Sequence, residues 1–334
     1  MVFRHNVQGG LGADIIFAAG TTGEWNRIQN NERQRLIRIE SDEISRLNRD
    51  MNVNNGMPVE AWAGVTAETR AETIANLECC LDANIHAAVI APLSIRDLTD
   101  VVTFFQREVS DLFDRRGRSL PIFLYDNAEI AVNPRISHIH TRDVKRLSRL
   151  PFLFGIKVSA SRRVLGNYTK GALHFKDKGE FGIYIGNAML MFQLFKLDDG
   201  ILGRVREYWN RYLLHNDLPI GVVAGPANVW PREWQRAWRA CFAGDDQLMP
   251  AYNLAFDRFE RACIFNQNGI SQAKMLACLK FALKLEGVID SDLVATGTPA
   301  LTEDDRRTFS DEYRKIRQQL ATCTDPHWNS RSIS

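Results

Sequence analysis

The stretch PFLFGIKVSASRR, residues 151–163, sets an apolar run (Phe152, Leu153, Phe154, Ile156, Val158) around one amine, Lys157. Apolar residues that do not alternate with polar ones read as a strand covered on both faces. An ammonium at the end of such a strand is expensive to bury unless it finds a partner. Two readings of Lys157 are open. The side chain snorkels to a rim or pairs with a carboxylate, or it serves as a nucleophilic amine. An unperturbed lysine is neutral in only about one molecule in 2,500 at pH 7, so useful nucleophilicity needs its pKa lowered by roughly 3 units, about 4 kcal/mol. Burial against an apolar strand acts in that direction, because it penalises the charged form.

Working outward, six similar runs recur: ADIIFAAG (13–20), PVEAWAGV (58–65), HAAVIAPL (86–93), LPIFLYD (120–126), FGIYIG (181–186) and PIGVVAG (219–225). Between them lie helical patterns. NERQRLIRIESDEISRL (31–47) sets Leu36, Ile37, Ile44 and Leu47 on one side and Arg33, Arg35, Arg38 and Asp42 largely on the other. Alternating strand and helix predict βα units and a parallel sheet, with right-handed crossovers leaving an open doubly wound sheet or a (β/α)8 barrel. Seven runs favour the barrel. From about residue 248 the pattern turns helical, through YNLAFDRFERACIF, SQAKMLACLKFALKL and EDDRRTFSDEYRKIRQQL. The expected organisation is an α/β TIM barrel over 1–245, with no obvious strand ahead of residue 13, and a C-terminal helical extension over 246–334. Residues 202–218 read as an inserted helix.

A chain of 334 residues, 45% hydrophobic and 25% charged, has the balance of an ordinary globular protein. With 42 basic against 40 acidic side chains, no field of one sign recruits nucleic acid or an anionic membrane. No apolar run approaches a membrane span, and no leader pattern opens the chain. The six cysteines form no C-x-x-C pair and no zinc spacing, so they are expected to be reduced core thiols of a cytoplasmic protein. His138 and His140, an H-x-H without a third ligand nearby, read as a solvated pair rather than metal ligands. Trp230, Trp234, Trp238 and Phe242 repeat every four residues, a helix face seeking a core.

In a parallel barrel, chemistry collects at the C-terminal ends of the strands. Four such ends carry ligand-shaped groups: GTTGE (20–24), YDN (125–127), GIK (155–157) and VVAGPAN (222–228). In the first, Gly20 and Gly23 let backbone approach a ligand, and successive N–H groups with the Thr21 and Thr22 hydroxyls make a small anion cradle suited to a carboxylate. No G-K-[ST] follows, so this is not a nucleotide loop; a plain loop turn is the other reading. Tyr125 alone reads as a core tyrosine. Beside Lys157, its phenol could carry protons to and from a substrate.

Together, GTTGE, YDN and GIK resemble the dihydrodipicolinate synthase and N-acetylneuraminate lyase family, over about residues 7–300. PVEAWAGV falls where that family has its third strand, IGN (185–187) follows its seventh, and GVVAGPANVWP (221–231) falls at its eighth. The resemblance implies a class I aldolase-type barrel, a homo-oligomer (dimer or tetramer), that binds a small 2-oxo acid as a lysine imine and needs neither cofactor nor metal. It implies Lys157 as the Schiff-base amine and Tyr125 as the proton shuttle. Thr21 and Thr22 would bind the carboxylate, with Thr21 also relaying protons, while Gly20, Gly23, Gly186 and Val223 line the pocket. The implied activity is aldol cleavage, condensation or dehydration. A related barrel that has lost turnover and only binds is the alternative.

Departures from the family narrow the substrate. Leu93 and Ser94 stand where dihydrodipicolinate synthases carry paired tyrosines, and Ile130 stands where their carboxylate-gripping arginine lies. The acidic residues that hold a polyol in sialic acid lyases are replaced after Gly186 by NAMLMF. Asp126, Asn127, Glu129, Ser159, Ser161 and Asn187 remain candidates to meet a shorter hydroxylated chain. The family's first strand has no counterpart here, which would leave two sheet edges exposed.

Overall fold

A computed structural model of the chain describes residues 1–8, 11–53, 58–133, 135–172, 181–195, 219–267 and 269–323. They fall into two compact units: Ala13–Leu190 with Leu197–Gly225, and Met1–Gly12 with Met191–Lys196 and Pro226–Ser334. The helix expected over 202–218 lies outside the described residues.

All seven apolar runs of the first unit become strands: β1 (Ile15–Ala18), β2 (Glu60–Gly64), β3 (Ala87–Ile90), β4 (Ile122–Asn127), β5 (Leu153–Ser159), β6 (Gly182–Ile185) and β7 (Gly221–Val222). They pair in chain order and all in parallel. Both faces of β3 and β4 are buried throughout, as runs without alternation require. The helices Asn30–Val53, Arg70–Asp82, Thr141–Leu147 and Arg162–Ala172 lie in four of the six connections, and helical segments from Val101 to Arg116 link β3 to β4.

The sheet is strongly curled, and its side chains show this directly. Trp62 of β2 and Tyr184 of β6 are four strands apart in the pairing order, which in a flat sheet would separate them by about 19 Å. Their ring centroids lie 5.4 Å apart. Phe123 of β4 fills the space between, 4.0 Å from Trp62 and 5.6 Å from Tyr184. Ala87, Val89, Ala91 and Tyr125 complete this inward layer, with Ile15 and Phe17 packed against it. It is a filled barrel interior of the kind that closes (β/α)8 folds. Among the described residues no strand flanks the outer side of β1, and β1 and β7 are not paired with each other. Their C-terminal ends nonetheless meet: a Cβ on Gly225, just past β7, would lie 2.7 Å from the Thr22 hydroxyl after β1.

The second unit is mainly helical. The expected tryptophan face is partly realised on the helix Pro231–Ala243: Trp234 stacks on Phe256 at 4.0 Å, and Trp230, just before it, stacks on Tyr313 at 5.1 Å. Phe242, at the end of the same stripe, is exposed. Helix was expected over 252–265 and again over 271–285, but the chain leaves the helix Leu248–Ala262 for an antiparallel hairpin, β8 (Ile264–Gln267) and β9 (Ile270–Ala273), before the helix Met275–Leu285. All six cysteines are buried and unbridged, and no helix among the described residues is long and apolar enough to cross a membrane.

Candidate active site

Parallel pairing of β4 and β5 sets Tyr125 directly opposite Lys157, and pairing of β5 and β6 sets Lys157 opposite Tyr184. Lys157 therefore lies in register between two tyrosines towards the C-terminal end of the sheet. Lys157 is only 8% exposed. Its nitrogen lies 4.1 Å from the centroid of the Tyr125 ring and 5.0 Å from that of Phe17. Burial pulls the Lys157 pKa below the ordinary lysine value, and the attraction of Tyr125 opposes the shift without cancelling it.

The Tyr125 oxygen is fully engaged. Thr21 Oγ1 lies at 3.0 Å and Ser159 Oγ at 3.2 Å, and Asn127 Nδ2 donates at 3.0 Å. Burial pushes the phenol's pKa up, but the Lys157 charge and the hydrogen bonds from Ser159, Thr21 and Asn127 outweigh it, and the net direction is down. Two other tyrosines behave oppositely: burial pushes the half-buried Tyr184 and the buried Tyr252 up to about 12.

The loop after β1 brings Thr21 onto the Tyr125 oxygen. Thr21–Gly23 form one turn of 3-10 helix, bracketed by Ala19 and Glu24, both non-glycine residues with φ 53°. Such left-handed residues persist only where surroundings hold them. Here the holder is Arg33, buried at the start of Asn30–Val53 and not on its polar face as expected. Its guanidinium donates to the carbonyls of Trp25, at 2.5 Å, and Gly64, at 3.4 Å. Burial lowers the Arg33 pKa to about 10, with Glu72 opposing, so it remains a cation at neutral pH.

Gly20 crosses the Phe17 ring so closely that a Cβ there would lie 2.9 Å from it. Gly23 is exposed, with open space where a Cβ would stand, so nothing in the packing demands glycine there. Thr22 sits beside Gly225. Gly186 is required: a Cβ would meet Ser159 Oγ at 2.1 Å, while the Gly186 N–H donates to Val158 O at 2.7 Å. Val223 N–H donates to Ile185 O at 2.8 Å, extending the β7 edge.

The structure therefore gathers Lys157, Tyr125 and Thr21, with Ser159, Asn127 and Phe17 joining them. Phe17 carried no chemical signal in the sequence; its position two residues ahead of Ala19, on the inward face of β1, is what places it under the amine. Asp126 does not face the site. It points away from the inward layer, is fully buried, and holds His138 Nδ1 and the Ile139 N–H, each at 2.9 Å. His138 is accordingly a partner of Asp126 rather than half of a solvated pair. Glu129, Ser161 and Asn187 are exposed. Among the described residues no group of three or more His, Cys, Asp and Glu side chains gathers as metal ligands.

No protein-family model matches the chain, and no curated protein does. Solved structures match closely in shape. Dihydrodipicolinate synthase from Bacteroides thetaiotaomicron has a TM-score of 0.70 at 19% identity, covering 94% of this chain and 90% of that one. A prophage protein of the dihydrodipicolinic acid synthase family from E. coli K12, solved in complex with pyruvate, has a TM-score of 0.69 at 16% identity, over 95% and 90%. KD(P)GA from T. tenax has a TM-score of 0.65 at 16% identity, over 95% and 92%. The chain therefore shares the (β/α)8-barrel fold of these dihydrodipicolinate synthase-type structures, with a C-terminal helical region.

Proposed function

We propose that the protein is a Schiff-base-forming lyase, an aldolase or dehydratase, acting on a small 2-oxo acid such as pyruvate or on a hydroxy-oxo acid that releases pyruvate. One observation carries the reading: a buried lysine amine whose pKa is lowered lies against a tyrosine whose oxygen is held by a threonine of the glycine-rich loop. The neutral Lys157 amine attacks the keto carbon, and the carbonyl oxygen takes a proton through Tyr125. The resulting carbinolamine loses that oxygen as water, leaving a protonated imine on Lys157. Electrons from the broken carbon–carbon or carbon–hydrogen bond at the neighbouring carbon then pass into the imine, giving an enamine, and Tyr125 with Thr21 carries the accompanying proton. Thr22, with the backbone at Gly20 and Gly23, cradles the carboxylate; Gly186 and Val223 line the opposite wall.

Borohydride with pyruvate tests this. A reduced adduct is expected on Lys157 of the wild-type protein, located by mass spectrometry, and none on Lys157→Ala or Lys157→Arg, since arginine keeps the charge but cannot form the imine. Folded wild-type protein that never yields an adduct would make the barrel a binding protein instead.

A further inference from the structure

Asn127 carries a constraint that its neighbours on Tyr125 do not. Its side-chain oxygen accepts the Glu129 N–H at 3.0 Å, capping the 3-10 turn Ala128–Ile130. That bond assigns the ends of the amide: with the oxygen on Glu129, the nitrogen faces the phenol oxygen at 3.0 Å. An amide nitrogen donates and never accepts, whereas the hydroxyls of Thr21 and Ser159 can do either. A neutral phenol beside Asn127 must therefore accept one bond permanently and spend its only proton on Thr21 or Ser159. Once that proton has moved, all three neighbours donate to the oxygen, and Asn127 needs no rearrangement. Asn127 is buried, where a fixed dipole acts more strongly than in water.

We propose that Asn127 is a positioning residue of the proton relay: its amide, locked by the Glu129 N–H, keeps a permanent donor on the Tyr125 oxygen and so prepares that oxygen to exchange a proton with the reacting molecule. The consequence for turnover rests on the Schiff-base reading; the consequence for the ionisation of Tyr125 does not. Cap and donor are separable functions. Asn127→Asp keeps an oxygen for the Glu129 N–H, because aspartate caps such turns as well as asparagine, but puts a carboxylate oxygen where the donor was.

The test is an ultraviolet titration of tyrosinate, with the Tyr125→Phe protein subtracted to isolate Tyr125, run alongside the pH dependence of borohydride trapping with pyruvate. In Asn127→Asp the Tyr125 ionisation is expected to move up by about one pH unit or more, at least tenfold, the weight of one hydrogen bond to a charged acceptor. The pH profile of trapping should shift in the same direction. Asn127→Ser, which retains a short cap but cannot reach the phenol, is expected to shift both similarly, and it decides the matter if the aspartate variant fails to fold. A Tyr125 that titrates in the aspartate or serine variant as in wild type overturns the proposal, leaving Asn127 a turn cap. If wild-type protein forms no adduct but the titration still shifts, the lyase reading falls and the assignment of Asn127 stands.

Discussion

Lys157 is held between two opposed effects of comparable kind. Burial penalises the ammonium, while an aromatic face 4.1 Å away favours it by about 0.5–2 kcal/mol. Desolvation is the larger, so the pKa lies below the ordinary 10.5. The sign of the pH dependence follows. Below that pKa, each unit of pH multiplies the neutral fraction tenfold, and above it the fraction saturates. The initial rate of pyruvate adduct formation is therefore expected to rise steeply with pH and to level off short of 10.5, measured by quenched borohydride trapping. A rate still climbing tenfold per unit at that pH would mean an unperturbed, solvated amine. Tyr125→Phe removes the oxygen on which Thr21, Ser159 and Asn127 converge but leaves Lys157 its ring. Turnover is expected to fall by about 10²–10⁴, with pyruvate affinity nearer wild type; unchanged turnover would reject the shuttle. The spacing of the sequence made Lys157, Tyr125 and Thr21 legible as candidates. It did not make the convergence on the phenol legible, because that depends on the register Tyr125↔Lys157 and Asn127↔Ser159 between β4 and β5.

The helix Asn30–Val53 shows how a side chain's type can mislead when its spacing does not. Arg33, Ile37, Glu40, Ile44 and Leu47 are spaced by four, three, four and three, one continuous stripe, and all five are buried. Charge argued for placing Arg33 on the solvent side, and periodicity argued against it. The hairpin β8–β9 is a second case. The Asn-Gly pair at 268–269 is the strongest short signal for a two-residue hairpin turn, yet it sits between segments whose apolar residues also fit a helical period. Glu40 adds a measurable consequence. It is fully buried with neither carboxyl oxygen in a hydrogen bond of ordinary geometry, and burial raises its pKa well above 4.5, the backbone at Ala18 and Trp62 opposing. The folded state then holds a proton that the unfolded chain releases above about pH 4.5. Stability is expected to fall as pH rises from there toward the folded pKa, by up to about 1.4 kcal/mol per unit. Glu40→Gln keeps a neutral side chain of the same shape, so denaturant titrations of this variant should show less loss between pH 5 and 8 than wild type. Parallel pH dependence in the two proteins would place the buried proton elsewhere.

At the scale of the whole molecule, seven apolar runs, most of them without alternation and separated by helical patterns, were enough to announce a parallel sheet, since a run without alternation is satisfied by cover on both faces. They could not announce curvature, which depends on which large side chains meet across the interior. Trp62, Phe123 and Tyr184, from alternate strands, meet there, and Tyr184 in turn sits beside Lys157 in register. Trp62 is thus the far wall of the layer on which the amine rests. Its indole N–H donates to Glu60 at 2.7 Å, so the ring is held in the barrel by a polar anchor as well as by packing. Removing it in Trp62→Ala leaves a cavity bounded by two aromatic rings and is expected to cost about 3–5 kcal/mol in a denaturant titration. Leu293→Ala, at a residue 80% exposed, is expected to stay within about 0.5 kcal/mol of wild type. If curvature holds the site, folded Trp62→Ala protein should also trap pyruvate more slowly, because Tyr184 and Phe123 can relax into the void and loosen the strands that carry Lys157 and Tyr125. Full trapping rate in a protein weakened by that amount would show the C-terminal rim to be held by its own loop contacts, Arg33 foremost, independently of the aromatic layer beneath.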